Sequence, residues 1–438
     1  HGGGGPMIAT LLFVAFLGMM FLGVPIGAAL GLAGAAAIAL ANAETPWFGL
    51  LAVPQNFYAG LGKYPLLAIP MFVLVGSIFD RSGVALRLVN FAVSIVGRGP
   101  GMLPLVAIAV AMFLGGISGS GPATAAAVGG VMIAAMARAG YPAAYSASVV
   151  AGAAATDILI PPSVAFIVYS VLVPGASVPA LFAAGMFPGI LAGIALIVPA
   201  VWLARRHKMG GAEADMPRPP FWRSLREAAW GLAAPVVILG GMRAGWFTPT
   251  EAAVVAVFYG LFVGMCIHRT IRVRDLFTIL REAGELSAVI LVVVSLAGIF
   301  AFSLSTLGVI DPITRTIVQS GLSEQGVLGV LIVMLLIAGM FLDGISIFLI
   351  FVPLLMPIMQ HYQWDVVWFG VVLTLTVAIG QFTPPMAVNL MVSSKIAGVR
   401  MEQTTRWVVW LVLAMTLAML LVVVFPQIAL WLPQRLGY

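Results

Sequence analysis

Apolar runs of membrane-crossing length follow one another along this chain, parted by short polar or aromatic joins. In the first half they cover residues 7–22, 25–41, 65–79, 142–174 and 180–203. In the second half they cover 228–241, 249–268, 286–304, 366–395 and 407–432. About 20 apolar residues cross a bilayer, so each run predicts a span, the first slightly short. Residues 42–64 carry Trp47, Phe57, Tyr58 and Tyr64, a composition suited to the membrane–water interface. Residues 84–97, with Arg87 among them, predict an amphipathic helix along that interface.

Two places break the pattern. Residues 103–117 give about 22 Å of helix at 1.5 Å per residue, short of the ~30 Å hydrocarbon core. The turn ISGSGPA follows, and residues 124–136 form another short arm. Residues 102–138 therefore predict a helical hairpin that enters and leaves on one side. The run 142–174 is long enough to cross, but Pro161-Pro162 interrupts it. Proline removes a backbone donor and biases the preceding residue away from helix. In hydrocarbon, non-helical backbone survives only inside protein or beside a water-filled cavity.

The second half repeats the first. A shift of 223 positions carries Gly116 onto Gly339, Gly121 onto Gly344, Val149 onto Val372, Ala155 onto Ala378, and Pro161-Pro162 onto Pro384-Pro385. Residues 327–359 then predict a second hairpin and 366–395 a second broken helix. The expected architecture is an all-α polytopic membrane protein of two inverted-topology repeats, residues 7–209 and 228–438. Each holds five spans and one re-entrant helical hairpin, with the broken helices at the midplane. A polar loop, 210–227, joins them. HGGGGP, residues 1–6, is expected to be a tag or linker remnant.

Composition agrees. Of 438 residues, 62% are hydrophobic and 8% charged, where soluble proteins carry roughly 25% charged. The net charge of +6 sits mostly in short loops, which points to topology and not to a nucleic-acid partner. With the N-terminus outside, only Lys63, Arg243, Arg315 and Arg435 of the 21 Lys and Arg fall outside. This orientation puts both termini in the periplasm and the central loop in the cytoplasm. It opens the first hairpin from the cytoplasm and the second from outside, with their tips meeting near the midplane. Cys266 is alone, so no intrachain disulfide forms, and the four histidines show no metal-ligand spacing.

The candidate chemistry lies at the breaks. Ser118, Ser120 and Thr124 flank the first tip. Their hydroxyls, with the free carbonyls of a broken helix, are hard oxygen ligands for a small cation such as Na⁺. Helix N-termini at the same break favour an anion. Paired, Gly/Pro-interrupted segments in two halves point to a transporter site. The second break, IGQFTPPMAVN, offers Gly380, Thr383 and Asn389. Asp157, Glu251 and Asp343 stand in apolar surroundings, where an ionisable residue is a functional candidate. Asp157 is expected to join the site or take up protons, Asp343 to cap a helix, and Glu251 to start one.

At these motifs the chain resembles a known family. GISGSGPATAAAVG, LIPPS, FTPTEAA, GMFLD and IGQFTPPMAVNL are similar to the large membrane subunit of tripartite ATP-independent periplasmic (TRAP) transporters, over essentially the whole chain. The resemblance implies sodium-coupled uptake of an organic anion, chiefly carboxylates such as C4-dicarboxylates and sialic acid, across the inner membrane. It implies a periplasmic substrate-binding protein, a small four-helix membrane subunit on another chain, and an elevator movement of the hairpins and broken helices against a scaffold. It places one sodium site on Gly115, Ser118, Asp157, Ile160 and Pro161, and another on Gly339, Gly380, Thr383 and Met386. Ser120, Thr124, Ser163 and Asn389 are the expected substrate residues. Family members often have a hydroxyl residue where Gly115 stands and a glycine where Asp157 stands, so a carboxylate is expected to replace a lost hydroxyl ligand. The alternatives are a self-sufficient sodium–dicarboxylate symporter of related fold and, remotely, an intramembrane enzyme pairing Asp157 with Asp343. No enzyme motif such as H-E-x-x-H is present, and no organic cofactor is expected.

Overall fold

The computed structural model describes residues 5–42, 49–97, 99–215, 217–319 and 321–438. The first four residues of the expected remnant, Trp47 and Arg98 lie outside the described residues. Every regular element among the described residues is helical. The chain opens with α1 (Gly5–Phe21), α2 (Ile26–Ala41), α3 (Ala52–Leu61), α4 (Ala68–Arg81) and α5 (Val84–Ile95). Then come α6 (Met102–Ser118), α7 (Gly121–Arg138), α8 (Ala143–Ala155), α9 (Val164–Leu172) and α10 (Val178–Arg206). The second half holds α11 (Phe221–Arg243), α12 (Pro249–Leu261), α13 (Val273–Thr306), α14 (Ile310–Val318), α15 (Glu324–Gly339) and α16 (Gly344–His361). It ends with α17 (Val366–Gly380), α18 (Val388–Ala397), α19 (Thr405–Val424) and α20 (Gln427–Leu436). Among the described residues, seven helical stretches are long and apolar enough to cross a membrane.

Both predicted breaks are present. Helix stops at Ser118 and resumes at Gly121, and it stops again at Ala155 before resuming at Val164. Several boundaries differ from the apolar pattern, each for a physical reason. The second hairpin arm starts at Gly121, three residues before the expected 124, because Pro122 sits in the first turn, where its missing N–H costs nothing. The final run 407–432 is not one helix: it ends at Val424, and α20 begins after Pro426. The run 286–304 is the apolar part of the longer α13, whose early turns carry Arg274, Asp275, Arg281, Glu282 and Glu285. At 34 residues, α13 is about 51 Å long, well over the ~30 Å core. Helix α11 begins at Phe221, inside the expected loop 210–227. Residues 42–64, expected as a plain join, contain α3.

Caps explain other starts. Thr248 and Glu251 form a reciprocal capping box at α12, the helix start that T-P-T-E predicts. Asp343 caps α16, accepting from the N–H groups of Ile345 and Ser346 at 3.1 and 3.2 Å.

The centre of the molecule is built from the two broken helices. Every residue from Tyr145 to Ala155 and from Trp368 to Gly380 is buried. The small side chains of AAYSASVVAGAAA let neighbouring helices approach closely. Helix α18 of the second break packs against α7 and α8 of the first half. On the other side, α13 packs against α2, α3 and α4 and also touches α16.

The join between the halves folds back onto the base of the first hairpin. Glu213 is buried there and accepts from the Leu103 N–H at 3.0 Å and from the Tyr141 hydroxyl. The Gly101 N–H in turn donates to the Tyr141 oxygen at 2.7 Å. Burial holds the Glu213 carboxyl above the usual carboxylate range, and the hydrogen bond from Tyr141 pulls it partly back. An acid whose folded pKa is raised favours the protonated folded state, so its contribution falls as pH rises from the unfolded value through the folded one. Glu213→Gln is therefore expected to flatten the melting temperature against pH above about pH 4.5. Glu213→Ala, which strands two buried donors, is expected to cost about 2 kcal/mol. Unchanged melting in both variants would contradict the clamp.

Candidate functional site

The first break brings together residues far apart in sequence. Ser118 ends α6, and Gly119 turns the chain with φ +62°, a conformation that suits glycine. A Cβ on Gly119 would stand 2.8 Å from the Pro162 carbonyl, so the tip rests directly on the second interruption. The Thr124 hydroxyl donates to Asp157 Oδ2 at 2.8 Å, and Ser118 Oγ donates to the same oxygen at 3.4 Å. Asp157 is completely buried, and its Oδ1 has no hydrogen-bond partner.

Gly115 explains how a carboxyl group fits there. A Cβ on Gly115 would lie 2.9 Å from the Asp157 Cα and closer still to Oδ1. Glycine at one position and aspartate at the other are thus complementary in volume. The Pro161 carbonyl lies 3.3 Å from where a Cβ on Gly116 would stand. Ile160 packs against Gly189 on α10. A carboxylate held by two hydroxyls through one oxygen, with its other oxygen unpartnered, offers hard-oxygen donors, which fit an alkali cation better than a soft metal.

The second break is built mainly from backbone. A Cβ on Gly380 would stand 2.6 Å from the Gly339 carbonyl oxygen, so the ends of α15 and α17 touch. The Met386 N–H donates to the Met340 carbonyl at 3.2 Å, while the Met386 side chain is half exposed. The Thr383 hydroxyl donates to the Ile379 carbonyl at 2.6 Å. Asn389 is fully buried and donates through Nδ2 to Gln381 at 3.3 Å, and its Oδ1 is without a partner.

Between the tips lies a cavity of about 330 Å³. Ser118, Ser120 and Gly121 of the first tip line it, with Asp343 and Ser346 of the second. Helices α4 and α13 close the other side through Val73, Asp80 and Val289. Of the expected substrate residues, Ser120 faces the cavity. Thr124 is bonded to Asp157, and Ser163 donates to the Ile158 carbonyl at 2.6 Å while capping α9. Asp157 and Asp343 belong to different breaks, and Asp343 is held by its own helix.

The sequence pattern did not single out Ser77, Asp80, Ser346 or Gln381, all of which line the cavity. Asp80 stands just past the apolar run 65–79. Gln381 lay within a quoted motif, between Gly380 and Thr383, and its position there was the available signal.

Helices of membrane-crossing length around an internal chamber bounded by two helix breaks define the class: a multi-pass membrane transporter. The particular family follows from comparison. The sequence profile of the tripartite ATP-independent periplasmic transporter, DctM component, matches residues 13–428, and the chain belongs to that family. It is similar to the C4-dicarboxylate TRAP transporter large permease protein DctM of Pseudomonas aeruginosa, 37% identical over 93% of this chain and 94% of that protein. The sialic acid TRAP transporter large permease protein SiaM of Vibrio cholerae is 33% identical over 97% of this chain and 98% of its own. The isethionate TRAP transporter permease protein DctMQ of Oleidesulfovibrio alaskensis is 36% identical over 96% of this chain, which spans 66% of that protein. These relatives are named as transporter permeases, not enzymes. Among solved structures, the Alcanivorax borkumensis YdaH transporter aligns with TM-score 0.61 over 88% of this chain and 90% of its own. At 12% identity, that likeness speaks for the fold alone.

Proposed function

We propose that this chain is the large membrane subunit of a sodium-coupled transporter that carries a small organic anion, such as a C4-dicarboxylate or sialic acid, across the inner membrane. The observation that carries the proposal is the shared cavity. Both hairpin tips line it, and the first tip holds the buried, half-unpartnered Asp157. The relatives' names support the cargo class: a C4-dicarboxylate, sialic acid and isethionate are all organic acids.

Gly115, Ser118, Asp157, Ile160 and Pro161 would hold one sodium ion, and Gly339, Gly380, Thr383 and Met386 another. Of the expected substrate residues, Ser120 lines the cavity and would contact the anion, while Thr124, Ser163 and Asn389 would support the tips around it. Sodium binding favours the tip arrangement that completes the anion site, so each ligand raises the other's affinity. The sodium gradient then drives uptake. The two halves act as inverted repeats: α7 and α16 begin and end 223 positions apart, at Gly121 and Gly344 and at Arg138 and His361. Rigid movement of hairpins and broken helices past α2, α4 and α13 gives alternating access. The termini face the periplasm and the central loop the cytoplasm. A periplasmic binding protein delivers the substrate, and a small four-helix subunit braces the scaffold within the lipid bilayer.

Thermal melts in NaCl against KCl at constant ionic strength test this. Sodium at 100 times its dissociation constant stabilises by about 2.7 kcal/mol. Ser118→Ala and Thr383→Ala are each expected to reduce the sodium-specific part. Superimposable curves in the two salts would sink sodium coupling.

A further inference from the structure

We propose that Gln381 is the side chain that fixes the cargo's acid group, its amide donating to an anionic oxygen between the two hairpin tips. This rests on the organic-anion function above and deepens it.

The cavity has few side-chain donors to offer an anion. No Lys, Arg or His is among its lining residues. Its two acids, Asp80 and Asp343, accept and do not donate when ionised. Three of its four serines are committed elsewhere. The Ser77 hydroxyl donates to the Val73 carbonyl at 3.1 Å, Ser118 Oγ to Asp157 at 3.4 Å, and the Ser346 hydroxyl to Asp343. Two lining residues keep a side-chain donor that bonds to no described residue: Ser120, through its hydroxyl, and Gln381, through Nε2. Gln381 alone of the two presents two protons on one atom.

The Gln381 amide is also held in place. Its backbone N–H donates to the Val377 carbonyl and its own carbonyl accepts from the Asn389 N–H, both at 3.0 Å. The side chain of fully buried Asn389 donates through Nδ2 to Gln381 Oε1 at 3.3 Å. That bond occupies the acceptor end of the amide and leaves the donor end for the cavity. A Cβ on Gly121 would stand 2.8 Å from Oε1, and one on Gly344 would stand 3.5 Å from Nε2. One amide therefore reaches the first residue of α7 and the first residue of α16. Ser120 directly precedes Gly121, which brings the two uncommitted donors to the same tip. The internal repeat sharpens the choice. The shift of 223 positions carries Ile158 onto Gln381, and both line the cavity. Of these two equivalent wall positions one is apolar and the other carries the amide, so an acid group is directed to the second.

Succinate, L-malate, isethionate and N-acetylneuraminate, as potassium salts, supply the test. Each would be titrated, at saturating NaCl, against the thermal stability of the chain with its small subunit in nanodiscs. Those that stabilise the wild type are then titrated against two variants. Gln381→Glu keeps the size of the side chain and replaces its donor with an acceptor, and Gln381→Met keeps the length without either. Both are expected to raise the half-saturating concentration about tenfold or more, as loss of a hydrogen bond to a charged group does. The melting shift from sodium alone should stay as in the wild type. Unchanged half-saturation in Gln381→Glu would overturn the assignment. So would variants that melt lower in every salt yet bind each acid as before, because Gln381 would then be only a strut between the tips. Loss of the sodium response together with the acid response overturns it too, by making Gln381 part of a cation site. Silence of all four compounds on the wild type would defeat the organic-anion function itself, and this inference with it.

Discussion

Gly115→Ser is expected to dismantle the first hairpin tip, and Asp157→Gly in the same chain to restore it. The added Cβ would stand 2.9 Å from the Asp157 Cα, which is backbone and cannot swing aside. Overpacking of this kind costs about 1–3 kcal/mol, occasionally more. Ser118 and Thr124 would lose their common partner as Asp157 is displaced. Removing the Asp157 side chain frees the volume that the serine needs, and the serine returns an oxygen to the place of the carboxyl. The double variant should therefore recover most of the lost stability and of the sodium-specific stabilisation. A coupling of about 0.5–3 kcal/mol is expected for residues in contact. The check is a double-mutant cycle of thermal melts in NaCl and KCl, and strictly additive effects would refute the complementarity.

Gly380→Ala is expected to have a comparable effect at the second break. The new Cβ would meet the Gly339 carbonyl carbon and oxygen at 2.6 Å. Both are backbone atoms, so α15 and α17 must part, at a cost again of about 1–3 kcal/mol. The carbonyls proposed to bind the second sodium would separate with them. Gly130→Ala is the control, because a Cβ there meets nothing within 4 Å, and alanine is the better helix former. A Gly380→Ala protein that melts and responds to sodium like the Gly130→Ala control would show that the contact is dispensable.

Both breaks were legible because hydroxyls, glycines and prolines interrupt otherwise apolar runs. That pattern led to Ser118, Ser120, Thr383 and Asn389 before any coordinates. What it could not carry was the meeting of distant parts. Thr124 and Asp157 share a hydrogen bond across 33 positions, and no periodicity encodes that pairing. Asp80 belongs to the cavity only because α13 and the Asp343 tip, from the other half, enclose it. The misplaced ends have local causes. Pro122 is tolerated in a first helical turn, and a lone Pro426 is hidden within a continuous apolar stretch. The start of α13 was missed because hydropathy marks where a helix leaves the hydrocarbon, not where it ends. Its early turns go on into water, supported by the Arg281–Glu285 pair at 2.8 Å.

That helix has a consequence for the lipid around it. A rod of about 51 Å in a ~30 Å slab must stand proud of the membrane or lean. Exposed Val273, Phe277 and Leu280 ride on its protruding end beside charged residues, the composition of a float at the headgroup level. That helix packs against α4, with the half-exposed Arg81–Glu282 pair at 2.6 Å near the protruding end. Acyl-chain length is thus expected to act as a mechanical input, a thinner or thicker bilayer changing the lean of α13.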